Sequence, residues 1–219
     1  MHKKEYLMFR KLLIILACLI FWGVTPAFAS SASLYYSDGP WSGKIIDSET
    51  KKPIEGVVVL AVWQKVYATP AGDNSYFFDA VEVLTDKEGN FFIPKFRALN
   101  IIPVIRSIRG PRFIIYKPSY PAFPGFGAQY FDKYFSENLK VDADVLNELL
   151  KKGIVLELPK LKTWIERIES HESADIDGEI PDSKIPKFKQ VLKEEDNYLK
   201  PMYRFDRKKL NIPVGALPK

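Results

Sequence analysis

Cysteine and histidine are nearly missing from this 219-residue chain, which has one thiol, Cys18, and two imidazoles, His2 and His171. Zinc-ligand clusters, Cys-His nucleophile pairs and disulfide frameworks all need more of these residues than the chain has. Strong charge of one sign is lacking too, with 32 Lys and Arg against 27 Asp and Glu. At 47% hydrophobic the chain is too apolar to be disordered throughout, and its length suits one domain with extensions or two small ones.

Residues 1–29 have the layout of a secretory signal: a basic start (Lys3, Lys4, Arg10, Lys11), an apolar run from Leu12 to Val24, and small residues at Ala27 and Ala29 before Ser30. Met8 is an alternative start. Leu12 to Val24 is 13 residues, which as a helix spans about 20 Å, short of a roughly 30 Å hydrocarbon core. Cleavage after Ala29 is therefore expected, giving a periplasmic or secreted protein. The alternatives are an anchor kept through an uncleaved signal, or lipidation of Cys18. The segment Ile15-Leu16-Ala17-Cys18 loosely resembles a lipobox, but Leu19-Ile20-Phe21-Trp22 stands where a polar tether normally begins. Cleavage removes Cys18 and His2 and leaves 28 basic and 26 acidic residues. No membrane contact is expected after it.

A linker over 30–40 is expected to precede a β-domain over 41–158. Strands are predicted at Trp41–Ile46, Val57–Trp63, Asp79–Thr85, Phe91–Ile93, Phe113–Tyr116 and Ile154–Leu158, separated by turn-rich segments such as Asp47–Pro53 and Asp86–Asn90. Val57–Trp63 is apolar on both parities, so both of its faces should be covered. Residues 117–153 interrupt the strands with an insertion. With Tyr116 just before it, Tyr120, Phe123, Phe126, Tyr130, Phe131, Tyr134 and Phe135 crowd its first part. A short helix carrying Leu146, Leu149 and Leu150 follows, capped by Asp142 or Asp144 and stopped at Gly153. Residues 159–219 form a helical extension. Its first helix carries Leu161, Trp164, Ile165 and Ile168 and is predicted to dock on a sheet through Trp164. A polar linker over His171–Asp182 and a second helix closed by Pro201 complete it.

Gly43-Lys44-Ile45-Ile46-Asp47, then Thr50 and Lys52-Pro53-Ile54-Glu55-Gly56-Val57, and later Thr85-Asp86-Lys87-Glu88-Gly89-Asn90-Phe91 resemble the carboxypeptidase regulatory-like domain. The resemblance implies a mainly β fold, a seven-stranded transthyretin-like (prealbumin-like) β-sandwich. To it this chain adds the aromatic insertion and the helical extension. The motif speaks for fold far more than for function, because such sandwiches recur as noncatalytic modules.

A metallocarboxypeptidase resemblance would need two His and a Glu, and the processed chain keeps only His171, which reads as a solvated linker histidine. No Gly-x-Ser-x-Gly elbow occurs. Paired carboxylates are a remote hydrolase alternative, drawn from Asp79, Glu82, Asp86 and Glu88, the last two explained by turn chemistry. Ser173–Lys184 fails as a calcium loop, with Lys184 where a bidentate Glu is required. Arg106, Arg109 and Arg112 read as a solvated loop, the alternative being a grip on an anionic partner group, and residues 30–158 balance 15 basic with 15 acidic groups, which gives no nucleic-acid face. No catalytic residue, metal or cofactor is expected. The expected function is contact with an envelope or extracellular protein, the alternative a polysaccharide. The rings of the insertion are expected to fold back as the cover that Val57–Trp63 requires; the functional reading is an exposed aromatic surface, with Tyr120, Phe123, Phe126 and Tyr130 as the candidate binding residues.

Overall fold

The computed structural model describes residues 34–70, 72–101, 106–123, 143–174 and 180–210, all within the unit Leu34–Lys219. The expected leader segment with Cys18, Ala27, Ala29 and Ser30 lies outside them, as do Phe126 and Tyr130 of the insertion. The described residues are mainly β: β1 (Tyr35–Asp38), β2 (Trp41–Asp47), β3 (Val58–Thr69), β4 (Gly72–Leu84), β5 (Asn90–Ile93), β6 (Phe96–Leu99), β7 (Arg106–Tyr116) and β8 (Ile154–Leu158). Three α-helices join them: α1 (Ala143–Lys152), α2 (Trp164–Ser173) and α3 (Pro186–Leu210).

The strands form a sheet β4-β3-β7, a sheet β5-β2-β8 and a ribbon β1-β6. All pairings are antiparallel except β2 with β8. Tyr35–Asp38, expected in a linker, is a strand because each residue from Tyr35 to Asp38 finds a partner between Leu99 and Phe96.

One core lies between the two larger sheets. Val57, Val59, Ala61, Trp63, Phe113 and Ile115 meet Trp41, Ile45, Phe91, Ile93, Leu156 and Leu158 there, with Leu146 and Leu150 of α1 closing one side. Trp41 packs at 5.7 Å from Trp63 and 5.8 Å from Phe113, centroid to centroid, and its indole N–H donates to Asn147 of α1. Each such side chain contributes about 1.5–3 kcal/mol by leaving water.

The opposite face of Val57–Trp63 is covered as well. Val58, Leu60 and Val62 pack with Ile114, Tyr116, Ala122, Ala174, Ile185 and Phe188, so the cover described is largely the C-terminal helices. Trp164 belongs to neither core and is only half-buried, which corrects the expected docking point. The reason is local. Thr163 accepts the Glu166 N–H while Glu166 accepts the Thr163 N–H, a capping box that starts α2 at Trp164 and leaves Ser170 and Ala174, not Trp164, facing the sheet.

α3 begins where strand β4 caps it, as the Glu82 carboxylate accepts the N–H groups of Lys187 and Phe188 at 2.8 and 2.9 Å. α3 runs through Pro201 to Leu210 and does not close there. Proline costs the bond to the carbonyl of Asn197, an exposed residue whose acceptor water can serve. α2 and α3 are clamped by Arg167, whose Nε and Nη2 donate to the two oxygens of buried Glu195 at 2.8 and 2.7 Å, with the guanidinium 4.0 Å over the Tyr198 ring. The pair is bidentate and largely desolvated, so removing one partner strands a buried charge.

Arg167→Met is accordingly expected to cost about 3–5 kcal/mol, and Arg167→Met with Glu195→Leu to recover most of that. Urea unfolding midpoints of the two variants check it; equal losses would show that the charge left unpaired is not the cause.

Candidate interaction surface

Two of the four rings proposed from sequence as a binding surface are described, and both are built into the fold. Phe123 is buried in the core between the sheets, because its N–H and carbonyl exchange bonds with Ile115 of β7 and turn the ring inward. Tyr120 is half-buried, and its hydroxyl donates to Asp47 at 3.0 Å. Ser170 of α2 fastens the same segment by donating to the Tyr120 carbonyl and accepting the Ala122 N–H. A row of exposed rings therefore cannot include Phe123, and Tyr120 offers only part of its ring.

Asp47 closes β2. Its carboxylate accepts the N–H groups of Glu49 and Thr50 and the Thr50 hydroxyl at 2.7–3.0 Å, and reaches across to Tyr120. The Thr50 N–H is the chief reason its carboxyl is held below the ordinary 3.8, against the opposing pull of burial; the Thr50 and Tyr120 hydroxyls and the Glu49 N–H add to it. Burial, then the bond and the charge of Asp47, push the Tyr120 hydroxyl up to about 12.

The other chemistry-bearing residues are similarly occupied. Thr85 is buried, donates to the Ile54 carbonyl and accepts the Val57 N–H, tying the start of β3 to the end of β4. Asp86 accepts from Glu88 and Asn90, and Gly89 takes φ 77° where a Cβ would stand 2.4 Å from the Ile45 carbonyl oxygen. Asp79 pairs with Lys184 at 2.8 Å, while Glu82 caps α3. His171 is not in a solvated linker; it lies in α2 with Nδ1 3.1 Å from the buried Tyr116 hydroxyl. α2 extends this far because Ser170 is buried and bonded to the 120–122 backbone and Ala174 packs against the sheet. Nor are the three arginines a loop. They sit on β7, with Arg109 paired to Asp73 at 2.9 Å and Arg106 4.8 Å from the Tyr67 ring. Among the described residues no three His, Cys, Asp or Glu side chains gather where they could hold a metal ion.

The outward face of β5-β2-β8 differs from this pattern. Ser42 stands opposite Phe92, Lys44 lies between Asn90 and Val155, and Ile46 stands opposite Glu157. Phe92 is 60% exposed and Val155 57%. Period-two alternation in Phe91-Phe92-Ile93 demands that one phenylalanine face out, so this feature was legible, whereas the cap by Glu82 had no signal in its strand.

No family model, curated protein or solved structure matches the chain.

Because the Asp47 carboxyl is depressed only in the folded chain, its stabilisation is whole above the ordinary 3.8, declines as pH falls below it, and is gone once pH has passed the folded value. Asp47→Asn should lower stability at neutral pH by about 1–3 kcal/mol. The gap between wild type and variant should be constant above about pH 5 and close on acidification. Denaturant titrations at several pH values measure it; a gap that widens in acid would contradict the assignment.

Proposed function

We propose that the chain is an exported, noncatalytic β-sandwich module of the carboxypeptidase regulatory-like, transthyretin-like type that works by contact with an envelope or extracellular protein. The observation that carries this reading is the use made of the motif residues. Asp47, Thr85, Asp86 and Gly89 are all engaged in turn and strand-end bonds, which is what a family defined by its fold would preserve. The residues a hydrolase would draw on, Asp79, Glu82 and His171, are engaged with Lys184, the α3 N-terminus and Tyr116.

The contact surface in this reading is the outward face of β5-β2-β8. A sheet face with a solvent-facing phenylalanine and valine beside Ser42 and Lys44 suits a mixed apolar and polar protein surface. The polysaccharide reading has no comparable support, since it rested on a row of rings from which Phe123 is withdrawn into the core.

Export predicts that the protein recovered from the cell envelope begins at Ser30, which N-terminal sequencing checks; a chain beginning at Met1 or Met8 would refute cleavage. A photo-cross-linking side chain in place of Phe92 or Val155 should join the protein to one partner in intact cells, while the same group in place of exposed Lys193 should not. Asp79→Asn and His171→Gln should leave the partner yield unchanged. Equal, unselective labelling from all three positions would rule out this face.

A further inference from the structure

The ribbon and the arm beside it hold a second exposed apolar surface, on a different sheet. Ile101 is 83% exposed, Leu34 59% and Leu99 58%. The β1-β6 register brings them together: the Asn100 N–H donates to the Leu34 carbonyl, and Leu99 stands opposite Tyr35. The Asn100 side-chain amide donates to the Arg106 carbonyl at 2.6 Å, which fixes the start of β7 against this tip.

From Arg106 the neighbours continue outward. Its guanidinium lies 4.8 Å from the Tyr67 ring, and Tyr67 meets Tyr76 edge to face at 5.4 Å, with Tyr76 exposed on the far strand of the β3-β4 hairpin. Lys95, just before β6, and Arg97, the second residue of that strand, are exposed and have no acidic partner among the described residues. Arg97 stands opposite Ser37. Both acidic side chains here are paired, Asp73 on the hairpin tip with Arg109 and Asp38, opposite Phe96 on the ribbon, with Lys151.

We infer that this tip is a membrane-surface anchor: Leu34, Leu99 and Ile101 enter the interface of an anionic bilayer, while Lys95, Arg97 and Arg106 engage its phosphate headgroups. The pieces are those such docking needs. Branched aliphatic side chains already stand out in solvent. Tyr35 stands opposite Leu99, and Tyr67 and Tyr76 follow through Arg106, rings with a polar end of the kind favoured at a bilayer interface, while Lys95, Arg97 and Arg106 supply cations matched to a negative surface. Contact through a few exposed side chains of a folded domain is peripheral and reversible attachment. A protein partner would equally bury the aliphatic residues, but it gives no reason for a collar of one sign. The inference sets aside the expectation of no membrane contact after leader removal.

The naturally processed protein is mixed with vesicles of phosphatidylcholine alone, or of phosphatidylcholine with phosphatidylglycerol, and recovered by flotation. Binding is expected only to the anionic vesicles and should weaken as salt is raised. Lys95→Gln and Arg97→Gln should each reduce it about fivefold. Leu99→Ser with Ile101→Ser should reduce it further at unchanged melting temperature, because both residues are exposed. Phe92→Ser, on the other sheet, should leave vesicle binding unchanged while abolishing the protein contact proposed above, so the two readings fail separately. Equal binding to neutral vesicles, no binding to either, or tip variants that bind like wild type would overturn the anchor. So would loss of a protein partner, instead of vesicle binding, on changing Leu99 and Ile101.

Discussion

Val57, Val59, Ala61 and Trp63 point to one side of the central sheet, Val58, Leu60 and Val62 to the other, and all seven are buried. A strand of this kind cannot leave either face to water without exposing several large side chains at once. The molecule meets the constraint with two different materials. Inside, a second sheet supplies Ile45, Ile93, Leu156 and Leu158; outside, the chain returns after β8 as two helices and presses Ala174, Ile185 and Phe188 onto the strand. The helical extension is therefore part of the hydrophobic core of the β-domain, and a chain ending after Leu158 would leave Val58, Leu60 and Val62 without Ala174, Ile185 and Phe188 over them.

That cover is held by polar joints as much as by apolar contact. Glu82 gives the first turn of α3 its acceptor from the strand beneath it, Ser170 bonds both ways to the 120–122 backbone, and Arg167 with Glu195 fixes α2 to α3. Each joint links an element of the extension to a partner that exists only when the rest is folded. Hydrogen bonds of this kind add little net energy singly but are costly to leave unmade, so they make the extension and the β-sheets order together.

This is also why the two parts were unequally legible from sequence. The hairpin at Asp86–Asn90, the turn after Asp47, the stop at Gly153 and the two-sided character of Val57–Trp63 depend on bonds within a few residues or on the alternation of a single strand. Such signals survive without knowledge of the fold, and they account for both the strand pattern and the family resemblance. Trp164, His171 and Pro201 were read by local rules that tertiary contacts outweighed. A capping box set the start of α2, burial of Ser170 and Ala174 carried it past His171, and an exposed acceptor at Asn197 let α3 pass its proline. The aromatic insertion was read as one feature, yet its described end divides by backbone pairing: the bridge to Ile115 turns Phe123 into the core, while Tyr120 is drawn to Asp47. Phe92 was the converse case, inside an expected strand but not singled out, although alternation alone sends it outward.

The same distribution of bonds limits where the molecule can act. The Asp47 carboxylate is favoured in its ionised form by the N–H groups aimed at it, and a general acid or base needs the opposite, a proton affinity brought toward working pH. Asp47 has been moved away from that range, not toward it. With one outer sheet face occupied by α2 and α3, the described surfaces still rich in apolar area are the outward face of β5-β2-β8 and the end of the β1-β6 ribbon. They differ in character. The first sets Phe92 and Val155 among Ser42, Lys44 and Glu157, both signs of charge being present; the second sets aliphatic side chains among Lys95, Arg97 and Arg106. Mixed charge discriminates between protein surfaces, whereas charge of one sign selects for a field, which is why the two surfaces point to different kinds of partner.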